Sequence, residues 1–215
     1  MKPHIKKQSL YSLLMFFILF TTSVFAQDTS FHRVELAYGI SLDIPSNWVV
    51  LSQDSKKNIA VAGEAMLSNA GIEGSSGQKE RLLAVNAQPE SNNNATIRVS
   101  VTMPPDYTQA DIAIATPKDL EAIGFEMQKL FKTIEVSGGI KIIEMQPVHI
   151  EKFNNFLSLV MPYVRAGVND SVPWQVTQYK IPVSNRLIEI TFSYKQTDAL
   201  VLNPILERVK SSVQF

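Results

Sequence analysis

Apolar and polar residues alternate at a period of two over much of this chain, and three stretches of helical period interrupt the alternation. Phe31–Leu36 and Ile40–Ile44 read as two short strands around Tyr38-Gly39, a turn pair in which glycine can take positive φ. In the second strand, Ile40, Leu42 and Ile44 alternate with Ser41 and Asp43, which gives one dry and one wet face. Pro45-Ser46-Asn47-Trp48 ends it, because proline cannot donate to a ladder. Asp54 to Ala70 is the first helical stretch, with Ser52 or Asp54 as cap and Gly71 as stop. Its apolar stripe of Ile59, Ala62, Met66 and Ala70 is thin.

Gly71–Lys79 and Gln88–Asn94 are loops by composition, and Arg81–Ala87 is a strand between them. Ala95–Met103 carries the cleanest alternation. Ala95, Ile97, Val99, Val101 and Met103 point one way, and Thr96, Arg98, Ser100 and Thr102 the other. Thr116-Pro117-Lys118-Asp119 opens the best helix, with a capping threonine, proline in the first turn and an acid at the positive dipole end. Leu120, Ile123, Met127, Leu130, Phe131 and Ile134 follow at helical spacing, and Gly138-Gly139 stops the run. Four strands are expected next: Ile140–Ile150, Phe153–Ala166, Trp174–Val183 and Arg186–Lys195. A closing helix presents Leu202, Ile205, Leu206, Val209 and Val213. Within it, either Asn203 caps a fresh start or Pro204 kinks the first turn. Hairpin-length links join most neighbours, so the class is α+β: a mostly antiparallel sheet covered by helices, not a doubly wound nucleotide-binding fold.

The N-terminal 26 residues stand apart. Lys2, His4, Lys6 and Lys7 precede the eleven apolar-rich residues Leu10–Phe20, and Val24-Phe25-Ala26 places small residues where a signal peptidase reads. This predicts a signal peptide over 1–26, cleavage after Ala26, and a periplasmic or secreted single domain over 27–215. The alternative is a retained membrane anchor, for which the 17 residues Leu10–Ala26 are at the short limit. The whole chain of 215 residues balances 20 basic against 20 acidic side chains, yet residues 27–215 hold 17 basic and all 20 acidic ones. That mild acidity argues against nucleic acid as a partner. The absence of cysteine excludes disulfides, thiolate metal sites, cysteine nucleophiles and a lipidated cysteine.

Candidate chemistry is sparse. Ser76-Gly77-Gln78-Lys79 matches S-x-x-K, but it lies in a Gly/Ser loop and lacks the companion S-D-N and K-T-G elements. His149 and Glu151, two apart on a strand, share a face and offer two metal ligands without a third. His32 and Glu35, three apart, face opposite ways. Asn94-Ala95-Thr96 and Asn169-Asp170-Ser171 are glycosylation sequons by pattern only. Trp48 is expected to plug one end of the core. Trp174, after the Asn169–Pro173 loop, is placed either in the core or as an interface anchor. No catalytic site, metal site or cofactor is expected. The candidate binding residues are Trp174, His149 and Glu151.

Gly39-Ile40-Ser41-Leu42-Asp43-Ile44-Pro45-Ser46-Asn47-Trp48 resembles the opening of PsbP-like proteins, a family whose exported bacterial branch includes the DcrB-like envelope proteins. The tail is similar too, with a strand over Arg186–Tyr194 followed by a helix and the ending Ser211-Ser212-Val213-Gln214-Phe215. Residues 53–79 depart from that pattern as a helical or loop insertion. The resemblance implies an α/β/α sandwich and a role in binding or envelope assembly, with a protein partner and no shared catalytic motif. The competing expectation is a small-ligand-binding protein or unrecognised hydrolase, its site between the Gly71–Lys79 loop and the sheet.

Overall fold

The computed structural model describes residues 29–69, 77–88, 93–167 and 171–215. The signal peptide expected over 1–26, Ser76 of the S-x-x-K match and Asn169-Asp170 of the second sequon lie outside these residues. Strands β1 (Phe31–Glu35) and β2 (Ser41–Pro45) pair as a small sheet, and β3 (Val49–Val50) opens the main one. Helix α1 (Gln53–Asn69), β4 (Gln78–Asn86) and β5 (Ala95–Met103) follow. Helices α2 (Gln109–Ile114) and α3 (Pro117–Val136) lead to β6 (Ile142–Met145), β7 (His149–Phe153), β8 (Phe156–Arg165), β9 (Trp174–Val183) and β10 (Arg186–Lys195). Helix α4 (Ala199–Ser212) closes the chain.

The main sheet runs β3-β4-β5-β10-β9-β8-β6, with β7 beside β6 along β8, and every pairing is antiparallel. Its first face is apolar. Leu83, Val85, Ile97, Val99, Val101, Ile188, Ile190 and Ile181 pack there against Ile40, Leu42 and Ile44 of the small sheet and Leu202, Leu206 and Val209 of α4. Trp48 lies in this core, as expected. The second face is covered at one end by α2 and α3, where Ile112, Leu120, Ile123 and Met127 meet Leu159, Met161 and Val148. Helix α1 lies against β4 and α3 and has no buried residue, in keeping with its thin stripe. The architecture is the expected α+β sandwich.

Several boundaries differ from the sequence reading, each for a local reason. The expected strand over Ile140–Ile150 is two strands, because Gln146-Pro147-Val148 breaks the ladder before His149. Phe153 ends β7 instead of starting β8. Asn154 takes φ 54° in a two-residue hairpin, and Ser184 takes φ 55° in the next. Strand β4 begins at Gln78, so Lys79 belongs to the sheet and not to the expected Gly71–Lys79 loop. Helix α2 went unforeseen, although Thr108 and Asp111 form the same reciprocal cap as Thr116 and Asp119. Helix α4 continues through Pro204. The lost bond falls to the carbonyl of Leu200, a residue 94% exposed, where solvent is available as a substitute donor.

The polar face of β2 is only partly wet, with Asp43 half-buried. Ser41 is 4% exposed, its backbone bridges to Gln214, and its hydroxyl accepts from Arg33 at 2.7 Å. The Arg33 guanidinium also donates to Asp43 at 3.0 Å and to the carbonyl of Ser212 at 2.8 Å, which ties the end of α4 to both small strands. A cation at a helix C-terminus also complements the dipole.

Leu206→Ala is expected to lower the unfolding free energy by about 2–5 kcal/mol, since the cavity would lie in the first-face core. Leu200→Ala should stay within about 0.5 kcal/mol of the parent. Urea unfolding of the two variants side by side checks both, and equal losses would contradict the burial difference.

Candidate functional site

Two regions of the second face carry unusual chemistry. The first is a groove of about 710 Å³ between α3 and the Met145–Val148 segment. Thr116 caps α3 and fixes where it starts. The inward stripe of Leu120, Ile123 and Met127 then turns Phe125 outward, where it is 57% exposed. Leu120, Gly124, Phe125, Met145, Pro147 and Val148 line the groove, with Lys118, Glu121, Gln128 and Gln146 as polar lining. A shallower depression of about 210 Å³ continues from Gln128 past Phe131 to Ile142 and Ile143. Ile143 is 51% exposed on β6, the last strand of the sheet order, whose outer backbone edge has no strand beside it among the described residues.

The second region is the polar half of the same face, on β4, β5, β10 and β9. The register aligns Arg81, Ser100, Glu189 and Lys180 in one row across four strands, with Arg98 and Thr191 in the next. Glu189 accepts from Lys79 at 2.8 Å, and Lys180 lies 4.0 Å away. Burial pushes the Glu189 carboxyl up, but the two lysines together hold it below the ordinary glutamate value. Burial lowers Arg81, and it lowers Arg98 to about 10, helped by the positive charges of Arg81 and Arg165. The Tyr107 hydroxyl is shut off from solvent and has no hydrogen-bond partner among the described residues. Burial and the nearby carboxylates raise it well above an ordinary phenol. Burial likewise raises Tyr163 to about 12.

The residues singled out from sequence fall elsewhere. His149 and Glu151 do share a face of β7. However, Glu151 accepts from Lys210 at 2.6 Å, while His149 Nε2 lies 3.7 Å from Glu151 and Nδ1 lies 3.1 Å from the Pro147 carbonyl oxygen. Burial pushes Lys210 down, yet Glu151 and Tyr179 raise it overall. No group of three or more His, Cys, Asp or Glu is placed to hold a metal among the described residues. Trp174 is 7% exposed, with the Arg165 guanidinium 4.7 Å from its ring centroid, so its indole is a core side chain. Lys79 stands on a strand and pairs with Glu189, unlike the helical lysine an S-x-x-K site requires. Sequence reasoning passed over Arg81, Arg98 and Glu189. The one available signal was a set of charges at the polar positions of alternating strands.

No protein-family model and no curated protein matches this chain. Solved structures do. The chain is similar to the cyanobacterial PsbP (CyanoP) of Synechocystis sp. PCC 6803, at 13% identity over 86% of this chain and 92% of that one, with a TM-score of 0.50. It is also similar to the Ran-binding protein Mog1p of Saccharomyces cerevisiae, at 9% identity over 86% and 95% with a TM-score of 0.45. A third is LpqN of Mycobacterium tuberculosis, described as involved in cell envelope biogenesis, at 12% identity over 91% and 96% with a TM-score of 0.44. The fold is PsbP-like. No helix among the described residues is long and apolar enough to cross a membrane.

Glu189 makes stability pH-dependent in a defined direction. Its carboxyl is held low in the folded chain, so its contribution is present above the unfolded value of about 4.3 and is lost as pH falls through the folded value. Glu189→Gln should therefore be less stable than the parent at pH 7, and the gap should narrow toward pH 2. Urea unfolding midpoints across that range decide it, and a constant gap would refute the pairing. Zinc titrated calorimetrically should give the same featureless trace for the parent and for His149→Ala, because Lys210 already neutralises Glu151.

Proposed function

We propose that this chain is an exported, non-catalytic accessory domain of the cell envelope that holds a protein partner along α3 and β6. The observation that carries the reading is the junction of an apolar groove with an open strand edge. Phe125 stands exposed on the groove that Leu120, Met145, Pro147 and Val148 also line, and Ile143 stands exposed on the adjoining depression. An extended segment laid beside β6 gains main-chain hydrogen bonds from the edge and pockets for alternate side chains from the groove. Exposed large apolar side chains grouped at one place are the usual mark of such a surface. The non-catalytic part of the reading rests on the resemblance of Gly39–Trp48 and of the Arg186–Phe215 tail to PsbP-like proteins, which share no catalytic motif. Export is supported by the basic start, apolar stretch and small residues ending at Ala26.

Photo-crosslinking in intact cells tests the docking surface. A photoreactive residue at Ile143 should give one discrete protein adduct that Phe125→Asp reduces at least tenfold, while the same probe at the exposed Val61 of α1 gives none. Equal adducts from both positions, or none from Ile143, would sink the reading. Processed protein should begin at Gln27 on N-terminal sequencing.

A further inference from the structure

Beneath the elbow between α2 and α3 the packing leaves a cavity of about 180 Å³. Ile150 of β7 and Leu159 of β8, directly opposite each other in the strand register, form its floor. Leu120 and Ile123 of α3 form the roof, and Ile112 of α2 with Ala115 of the elbow closes one side. Tyr107 and Asp111 complete the lining. Leu120 is the one residue shared with the lining of the α3–β6 groove, so the cavity is a separate space.

The walls are held from several sides. Thr108 and Asp111 cap α2, Thr116 and Asp119 cap α3, and only Ala115 and Thr116 separate the two helices. Gln109 pins α2 to the sheet. Its side-chain amide donates to the carbonyls of Leu157 at 2.9 Å and Pro182 at 2.8 Å, and its side-chain oxygen accepts from the Leu157 amide at 2.8 Å. An elbow fixed in this way cannot settle onto the sheet, and the methyl group of Ala115 is too short to fill the space beneath it. Protein interiors hold few voids larger than a water molecule, and an unfilled one forfeits dispersion contacts around its lining. Asp111 is an exposed residue, so the cavity reaches the surface near the start of α2.

The lining determines what could fill it. It contains no lysine, arginine, histidine or side-chain amide. Its one carboxylate, on Asp111, accepts from the amide and the hydroxyl of Thr108, both at 2.7 Å, and would repel an anion. Ile112 and Leu159 are 5% and 7% exposed, which gives the interior of the cavity an aliphatic surface withdrawn from water. An apolar cavity of about 150 Å³ stays dry and takes up benzene. We infer that this cavity is a binding site for a small uncharged apolar ligand, about the size of a single aromatic ring. Such a ligand restores the missing contacts of the surrounding aliphatic side chains and displaces no hydrogen bond. The inference goes beyond the docking role proposed for the α3–β6 groove, and neither depends on the other.

Methyl ¹³C NMR during titration with benzene tests it. Saturable shifts of the Ile112, Ile123, Ile150 and Leu159 methyls are expected, with the Ile143 methyls of β6 unmoved. Benzoate, the same ring bearing a charge, should leave all of them in place. Ala115→Leu fills the cavity and should weaken benzene binding at least tenfold. Ala62→Leu, at an exposed position of α1, should bind as the parent does. If Ala115→Leu fails to fold, Ile150→Phe serves instead and should also weaken binding at least tenfold. Shifts that grow linearly without saturating, saturable binding undiminished in the filled variant, or benzoate bound as tightly as benzene would overturn the assignment.

Discussion

The antiparallel pairing of β5 with β10 is the contact on which the remainder of the structure depends. It joins eight residue pairs, from Leu187 with Thr102 to Tyr194 with Ala95, and brings together two parts of the chain separated by some ninety residues. One face of the pair carries Ile97, Val99, Val101, Ile188, Ile190 and Phe192. The other carries Arg98, Ser100, Thr102, Glu189, Thr191 and Ser193. With a side-chain period of two, a slip of one residue in this register would exchange the faces, burying charges in the aliphatic core and exposing isoleucines. The same pairing thus defines the core and creates the polar half of the second face.

The first face is closed by the β1–β2 sheet together with α4 and the residues that follow it. Arg33 binds Ser41, Asp43 and the last carbonyl of α4, Gln214 bridges to Ser41, and Asn154 donates to the Val213 carbonyl. Phe215 then packs on Phe153 and Phe156, extending a series of ring contacts through Tyr179 to Phe192. Aromatic contacts of this tilted and edge-on kind add to the stabilisation from burial alone. Over the second face, α2 and α3 bring matching apolar stripes to the β8 side, while α1, which has no buried residue, lies against β4 and α3. This asymmetry leaves room for function. A half-covered sheet exposes the walls of a groove at its β6 edge and leaves half-buried charge along its centre.

Much of the architecture was legible locally. Alternation marked β5, β9 and β10 to the residue. Thr116, Pro117 and Asp119 marked the start of α3, and Gly138, at φ 83°, its end. The candidate sites were not legible in the same way. Arg81, Arg98 and Glu189 occupy the polar positions of their strands, where a charged side chain ordinarily meets water and needs no partner. Nothing within a single strand shows that these polar positions will be half-buried by neighbouring elements. His149 and Glu151 show the converse. Their spacing correctly put them on one face, but Lys210, some sixty residues further on, decided that Glu151 would be neutralised.

The sequence by itself determined the secondary structure of most elements, the α+β class and the dry face of each long strand, because periodicity and capping are properties of neighbouring residues. Only the tertiary structure decided which polar positions lose water, which cations find a carboxylate and which apolar side chains stay uncovered. Those outcomes depend on strand order and helix placement. The energy of a charge depends on what surrounds it in space, and here the surroundings are supplied by residues distant in the chain.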